Sequence, residues 1–305
     1  MSSIGCKSVI IAANPKSGSK SRLELVHQLA GHIESKGFDV HVEFELGELE
    51  ARIADRWGNG SLATVIAAGG DGTVNAVAAR APSGVPITVL PLGSENLLAK
   101  YYGWNLSVEA CAERVERAES IVLDAMEING RLGLIMVSVG FDSEVVRLVH
   151  SNRKSHITRW AYRTQAIRAW LTYRWPVHRI KFHCDETDRE EIVHGQWFFV
   201  FNLPKYATEL HILDDADPSD GLLDLGVFTE SGPIKGLFQY LDVLRGRHRK
   251  RSDWVEKRIR GLHCENLSAR ENASRYESSY QFDGDSGGEM PMQIRVLAKR
   301  VTLLR

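Results

Sequence analysis

Cysteine is scarce: Cys6, Cys111, Cys184 and Cys264 are scattered through 305 residues. No CxxC pair occurs, so spacing gives no zinc site, and reduced thiols are expected. Long apolar runs are missing too. The opening MSSIGCKSVIIAANPKSG has about five apolar residues before Asn14-Pro15, too few for a signal-peptide core. No later run approaches the roughly 20 residues of a spanning helix. Neither sign of charge dominates: 38 Lys+Arg against 39 Asp+Glu leave a formal net charge of −1. A surface wholly dedicated to nucleic acid is therefore not expected. The glycine-rich loops lack both the GK[ST] ending of a Walker loop and the G-x-G-x-x-G spacing of dinucleotide folds. No Ser-His-Asp or Cys-His arrangement stands out. What remains is ordinary globular composition, 43% hydrophobic and 25% charged, in a chain long enough for two domains.

The first third alternates strand and helix. SVIIAA is a continuous apolar run that ends at NPKSGSKS, and Leu23, Val26, Leu29, Ala30 and Ile33 then follow at helical spacing. FDVHVEF alternates as a half-buried strand, LEARIADRW reads as helix and LATVIAA as a buried strand. VNAVAARA, PITVLPLG and NLLAKYY read as helix, strand and helix. Repeated strand-helix units predict a parallel, doubly wound, Rossmann-like α/β sheet with loops at the carboxyl ends of its strands. Three loops then converge on one edge: NPKSGSKS, GGDGT and PLGSEN. After about Ser120 the sequence turns strand-rich, with IVLDAMEI, LGLIMVSVGF, RIKFHC, QWFFVFN, LLDLGVF, KRIRGLHC and MQIRVLA. This predicts an antiparallel sandwich or barrel, interrupted by helices near Thr158–Tyr173 and Pro233–Leu244. The expected domains are 1–123 and 124–305, with the last strand a candidate to return to the first.

In GGDGT, Gly69, Gly70 and Gly72 can take positive φ and leave amides uncovered, which suits an anion-binding nest ahead of a helix. A tight turn, with Asp71 closing an Asx-turn, is the plainer reading. NPKSGSK sets Lys16 and Lys20 with Ser17, Ser19 and Ser21 at the end of the first strand. PLGSEN sets Gly93, Ser94 and Asn96 at a helix start; N-capping explains both loops equally well. Asp283 and Asp285 flank Gly284. They can share proton acceptance and metal contact, or simply form a β-turn. The acidic run Asp214, Asp215, Asp217, Asp220 reads most simply as a solvated loop.

NPKSG, GGDGT and PLGSEN, in this order and at these separations, resemble the diacylglycerol kinase catalytic-domain family of bacterial YegS/DgkB-like lipid kinases. That family is related to sphingosine kinases and, more distantly, to NAD kinases. SVGFDSEV, DADPSDGLLDLGVF and FDGD are similar to its later segments. The resemblance implies an ATP-binding α/β domain, a C-terminal β-sandwich, and phosphoryl transfer to a lipid hydroxyl in a cleft between them. It implies that Gly69, Gly70, Gly72 and Thr73 cradle the nucleotide with Asn14, Ser17, Gly93 and Ser94. Asp71 would then handle Mg²⁺–ATP, since a cation reverses the local sign of the field. Asp283 would accept the acceptor's proton with Asp285 beside it, and Asp142 would contact a lipid headgroup. A structural Mg²⁺ is implied at the Asp220 carboxylate and the main-chain carbonyls of Asp217 and Leu222.

Several positions depart from the family pattern. Ala76 stands where Glu is frequent, Glu45 where a nucleotide-contacting Thr occurs, and Asp285 where DGE has Glu, with Glu289 nearby as a candidate to compensate. NLPKYATELHI lacks the usual glycine-rich run. Substrate identity and catalytic competence therefore stay open, with phosphorylation of NAD or nucleotide binding without turnover as alternatives. From Val145 to Cys184 there are nine Lys/Arg and no Asp or Glu, interleaved with Trp160, Tyr162, Trp170, Tyr173 and Trp175. On a helical wheel Ile157, Trp160, Ala161, Thr164, Ile167 and Leu171 share one face, with Arg159, Arg163 and Trp170 on another. Rings beside cations suit an anionic membrane surface, as does RGRHRKR at 245–251. Single-stranded nucleic acid uses the same chemistry, and a basic solvated surface over core tryptophans is the plain reading. The expectation is a cytoplasmic protein with peripheral membrane contact and no dedicated nucleic-acid partner.

Overall fold

The computed structural model describes residues 7–13, 20–151, 159–205, 210–267 and 278–305. Asn14 and Ser17, with the rest of the NPKSG loop, lie outside them. Contacts divide the chain into two compact units, Met1–Asp124 together with Ala298–Arg305, and Ala125–Leu297.

The first unit runs β1 (Ser8–Ala13), α1 (Lys20–Ser35), β2 (Asp39–Glu43), α2 (Leu46–Gly58), β3 (Leu62–Gly69), α3 (Asp71–Arg80), β4 (Pro86–Pro91), α4 (Leu97–Tyr101) and α5 (Val108–Arg117). Its strands pair in parallel in the order β2-β1-β3-β4. Thr302 and Leu303 extend the sheet beyond β4, again in parallel. Every residue of β1 is buried, as expected of a parallel strand covered on both faces. The α1 stripe Val26, Leu29 and Ile33 packs in one core with Cys111, Ala112 and Val115 of α5. Each such buried Leu or Ile contributes about 1.5–3 kcal/mol. Ser107 caps α5 by accepting from the Ala110 amide at 3.1 Å. The sequence reading passed over α5 because its apolar positions are interleaved with Glu109, Glu113, Arg114 and Arg117.

In the second unit the chain follows β5 (Ser120–Ile128), which starts in the first, then β6 (Arg131–Gly133), β7 (Met136–Val139), α6 (Phe141–Ser151), α7 (Arg159–Thr172), β8 (His178–Cys184), β9 (Arg189–Gly195) and β10 (Trp197–Phe201). It continues with β11 (Leu223–Phe228), α8 (Pro233–Leu244), β12 (Trp254–Asn266), β13 (Ser279–Phe282), β14 (Asp285–Glu289) and β15 (Met292–Leu304). Strands β14-β13-β7-β10-β11-β12 pair antiparallel in that order, and β8 bridges β12 and β9. Their inward residues, among them Val137, Phe198, Leu225 and Ile259, form one core.

Two local differences from the sequence reading matter. LGLIMVSVGF is two strands rather than one, and a helix that was not anticipated, α6, starts at Phe141. Gly140 turns the chain between them at φ 138°, a conformation that favours glycine. Ser143 locks the turn by donating to the carbonyls of Gly140 (2.7 Å) and Ser279 (2.9 Å). On the wheel for 157–171, the side chains of Ile157, Trp160, Ala161, Thr164 and Leu171 lie outside the described ones. Ile167 is exposed, whereas Trp170, assigned to the arginine face, packs edge-on against Phe141 and Trp175. Tyr173 and Trp175 are buried, so their rings serve this unit's interior rather than its surface. No helix among the described residues is long and apolar enough to cross a membrane.

Candidate active site

In the first unit the GGDGT and PLGSEN loops interlock. Strands β3 and β4 are neighbours in register, Gly69 opposite Pro91, so the loops leaving them lie side by side. A Cβ on Gly93 would come within 2.5 Å of the Gly70 Cα, and one on Gly70 within 3.1 Å of the Gly93 Cα. Backbone meets backbone there: only glycine fits at 93, and at 70 a side chain fits only if the facing backbone gives way by a few tenths of an ångström. A Cβ on Gly69 would overlap the Thr73 side chain. None of Gly69, Gly70, Gly72 and Gly93 has positive φ. The nest built on positive φ is thereby corrected: these glycines provide close approach, not a left-handed turn.

Asp71 also differs from its plainer reading. Its carboxylate accepts the Leu97 amide at 3.0 Å and the Leu98 amide at 3.2 Å, the first two N–H groups of α4. It therefore caps a neighbouring helix instead of closing an Asx-turn in its own loop. Asn96, the residue at the cap position, sits at φ 51° and turns its side chain back into its loop. Its Oδ1 accepts from the Gly93 amide, and its Nδ2 donates to the Gly93 carbonyl, both at 2.9 Å. Burial pushes the Asp71 carboxyl above the usual range, opposed by the two amides, with the charge of Glu95 adding to the rise. Ser94 and Gly72 are exposed, open to a ligand. Glu45 is exposed as well.

In the second unit Asp283 and Gly284 form the β13–β14 hairpin turn, at φ 51° and 84°, joining Phe282 to Asp285. This is the two-residue turn that the spacing allowed. The Asp283 carboxylate also accepts three successive amides, from Leu134 (2.7 Å), Ile135 (2.9 Å) and Met136 (3.0 Å). A carboxylate offers about four lone-pair sites, so three of them are committed to the backbone entering β7. Asp285 and Glu289 are exposed.

Asp142 opens α6, where its carboxylate accepts from the Ser138 hydroxyl and, at 2.8 Å, from the Trp197 indole. The Ser138 oxygen accepts from Gln281 Nε2 at 2.6 Å, and Gln281 Oε1 from the Gly284 amide at 3.0 Å. A single hydrogen-bonded chain thus links Asp142 to the turn that carries Asp283. The sequence reading named its two ends and missed its middle. The available signal was buried polar residues within short apolar strands, Ser138 in β7 and Gln281 in β13.

The 217–222 loop is where the resemblance implies a structural Mg²⁺. Asp220 accepts from the Arg258 guanidinium and from the Leu222 amide, while Asp217 accepts from the backbone and hydroxyl of Ser219. A fixed cation already meets the one carboxylate in the expected set. No group of three or more His, Cys, Asp or Glu among the described residues could hold a metal. Nearby, burial pushes Asp224 up to about 6, with Asp220 and Glu256 adding to the rise and Arg258 opposing it. A raised carboxyl means that the native state binds the proton more tightly, so stability falls as pH rises from about 4 to 6. Asp224→Asn should therefore stabilise the protein by about 1–2 kcal/mol at pH 8 and by nothing at pH 4. Urea titrations at the two pH values check this; equal effects at both would contradict it.

An α/β unit with interlocked glycine loops and an antiparallel β unit in one chain have known counterparts. Residues 8–128 match the diacylglycerol kinase catalytic domain, which makes the chain an ATP-dependent kinase by class. Residues 135–305 match the YegS C-terminal NAD kinase beta sandwich-like domain. The chain belongs to the diacylglycerol kinase catalytic-domain family of the YegS kind. It is 26% identical over 309 residues to the diacylglycerol kinase of Mycobacterium tuberculosis (strain H37Rv), covering 97% of this chain and 94% of that one. A crystal structure of a diacylglycerol kinase from Bacillus anthracis str. Sterne superposes with TM-score 0.67 at 19% identity, over 98% of this chain and 96% of that one. An NAD kinase from Archaeoglobus fulgidus in complex with ATP superposes at 0.53 and 12%, over 98% and 93%. At those identities the two structures speak for the fold alone.

Proposed function

We propose that the protein transfers the γ-phosphate of ATP to a hydroxyl of a lipid: diacylglycerol, a sphingoid base or a related acceptor. The observation that carries this is the succession of two matched family domains over nearly the whole chain, with a full-length relative named diacylglycerol kinase. Phosphoryl transfer depends mainly on positioning and charge neutralisation, and the interlocked loops supply positioning. Gly69, Gly70, Gly72 and Thr73, with Gly93 and Ser94, form the nucleotide cradle; Asn14 and Ser17, implied by the family resemblance, lie outside the described residues. Asp71 would meet the divalent cation of Mg²⁺–ATP, since a cation reverses the local sign of the field and offsets the cost of burying its anion. Mg²⁺ bound there would neutralise phosphate charge. Asp142, held by Ser138 and Trp197, would face the acceptor's polar group, and Asp283 would accept its proton. Asp285, exposed beside it, assists.

NAD is a second acceptor to test, because the C-terminal family model is described as NAD kinase beta sandwich-like. The experiment is transfer of labelled γ-phosphate from Mg²⁺–ATP to a panel of lipids in mixed micelles, with NAD alongside. Label is expected in a lipid, to be lost on chelation with EDTA and reduced roughly tenfold or more in Asp285→Asn at unchanged stability. Label in NAD alone, or in no acceptor despite saturable ATP binding, would sink the reading.

A further inference from the structure

Helix α8 is turned inside out. Ile234, Leu237, Phe238 and Leu244 follow the i, i+3, i+4, i+10 spacing of one helix face, the pattern that ordinarily faces a core. Here they are 76%, 48%, 56% and 52% exposed. The buried face is Gly236, Gln239 and Val243, which is small, polar and short.

That orientation is fixed by specific contacts. Gln239 is fully buried and fully used: Oε1 accepts from the Ser231 hydroxyl (2.7 Å), and Nε2 donates to the Glu230 carbonyl (2.6 Å) and to Asp253 (3.1 Å). Gly236 lies against the Trp175 ring, which a Cβ would approach to 2.5 Å. Rolling the helix to hide its leucines would strand a buried amide and drive side chains into an indole. The apolar stripe is held outward.

Charge identifies what the stripe meets. The helix's own charges are neutralised in place, Lys235 by Glu230 and Asp253, and Asp242 by Arg251. Just past its end Arg249 is paired with Asp215 and Glu256. Arg245, Arg247 and Lys250 are exposed, and none makes an ion pair within the described residues. An apolar helix face continued by unpaired cations complements an anionic bilayer: side chains reach the acyl boundary and cations the headgroup phosphates.

We infer that α8 and the turn at 245–250 dock on an anionic lipid surface. This deepens the lipid-kinase reading, on which the use of the surface rests, but binding itself requires no catalysis. The test is cosedimentation of the full chain, without ATP, with vesicles of phosphatidylcholine or of equal parts phosphatidylcholine and phosphatidylglycerol. Partition should favour the anionic vesicles and weaken as salt is added. Leu237→Ser with Phe238→Ser should lower it at least about tenfold at unchanged melting temperature. Arg245→Gln with Arg247→Gln should remove most of the preference for anionic lipid. Equal partition onto both vesicles, or undiminished binding by the serine variant, overturns the inference. So does concentration-dependent self-association that the serine variant abolishes while vesicles stay unbound, which would make the stripe a dimer face. Because no phosphoryl transfer is read, failure of the kinase assay leaves this result standing, and the reverse holds too.

Discussion

Asp283→Ala is expected to lower stability by about 3–5 kcal/mol. The substitution leaves the amides of Leu134, Ile135 and Met136 without the carboxylate they now share. It also places alanine at φ 51°, where an L-residue other than Gly, Asn or Asp costs roughly 1–2 kcal/mol. Asp283→Asn tolerates the backbone but turns an NH₂ toward amide donors, so about half of that loss is expected. Urea or thermal titration measures both. The consequence reaches the enzymology, since lost kinase activity in these variants does not by itself identify a proton acceptor. Turnover must be compared where each variant is fully folded. If Asp283→Asn abolishes transfer while its unfolding midpoint stays at the wild-type value, the carboxylate's role is chemical and the bracing role assigned here is wrong.

Gly93→Ala should be the second severe change. Its Cβ would stand 2.5 Å from the Gly70 Cα and 2.6 Å from Asn96 Oδ1, so either the two loops separate or the asparagine lets go. Overpacking of this kind costs about 1–3 kcal/mol. A shift of about 1 Å in a positioning loop lowers catalysis roughly a hundredfold. The informative comparison is Gly72→Ala. That residue is exposed in the first turn of α3 and lacks positive φ, so alanine should leave stability unchanged or improve it by up to about 1 kcal/mol. A rise in the KM for ATP in Gly72→Ala alone would report ligand approach rather than folding. If Gly93→Ala proves as active and stable as wild type, the close approach of the loops does not matter to the site.

The α/β order was legible because buried parallel strands such as β1 and β3 are unbroken apolar runs, and α1 repeats at helical spacing. The second unit was legible as β-rich for the same local reason. What escaped was set at long range. Asp71 caps a helix 26 residues further on, and Asp283 binds amides nearly 150 residues earlier, pairings that no local period encodes. The glycines of GGDGT were recognised as special, but their reason, another backbone within touching distance, belongs to a different loop. For α8 the sequence predicted a helix near Pro233–Leu244 without telling which side faces out; Gln239 and its three partners decide that. Helix α6 was lost because its start depends on one glycine dihedral and a serine hydroxyl.

The chain from Gly284 through Gln281 and Ser138 to Asp142 has a direction. Each member hands its hydrogen the same way: amide to side-chain carbonyl, amide NH₂ to hydroxyl, hydroxyl to carboxylate. Dipoles stacked head to tail polarise one another, so the array acts as a one-way brace that ends on an acceptor. Gln281 cannot flip its amide without facing a donor to a donor at Gly284, and Ser138 cannot rotate away without releasing Asp142. Asp142 and the hairpin turn therefore share a single setting, and a substitution at any one station is felt at both ends.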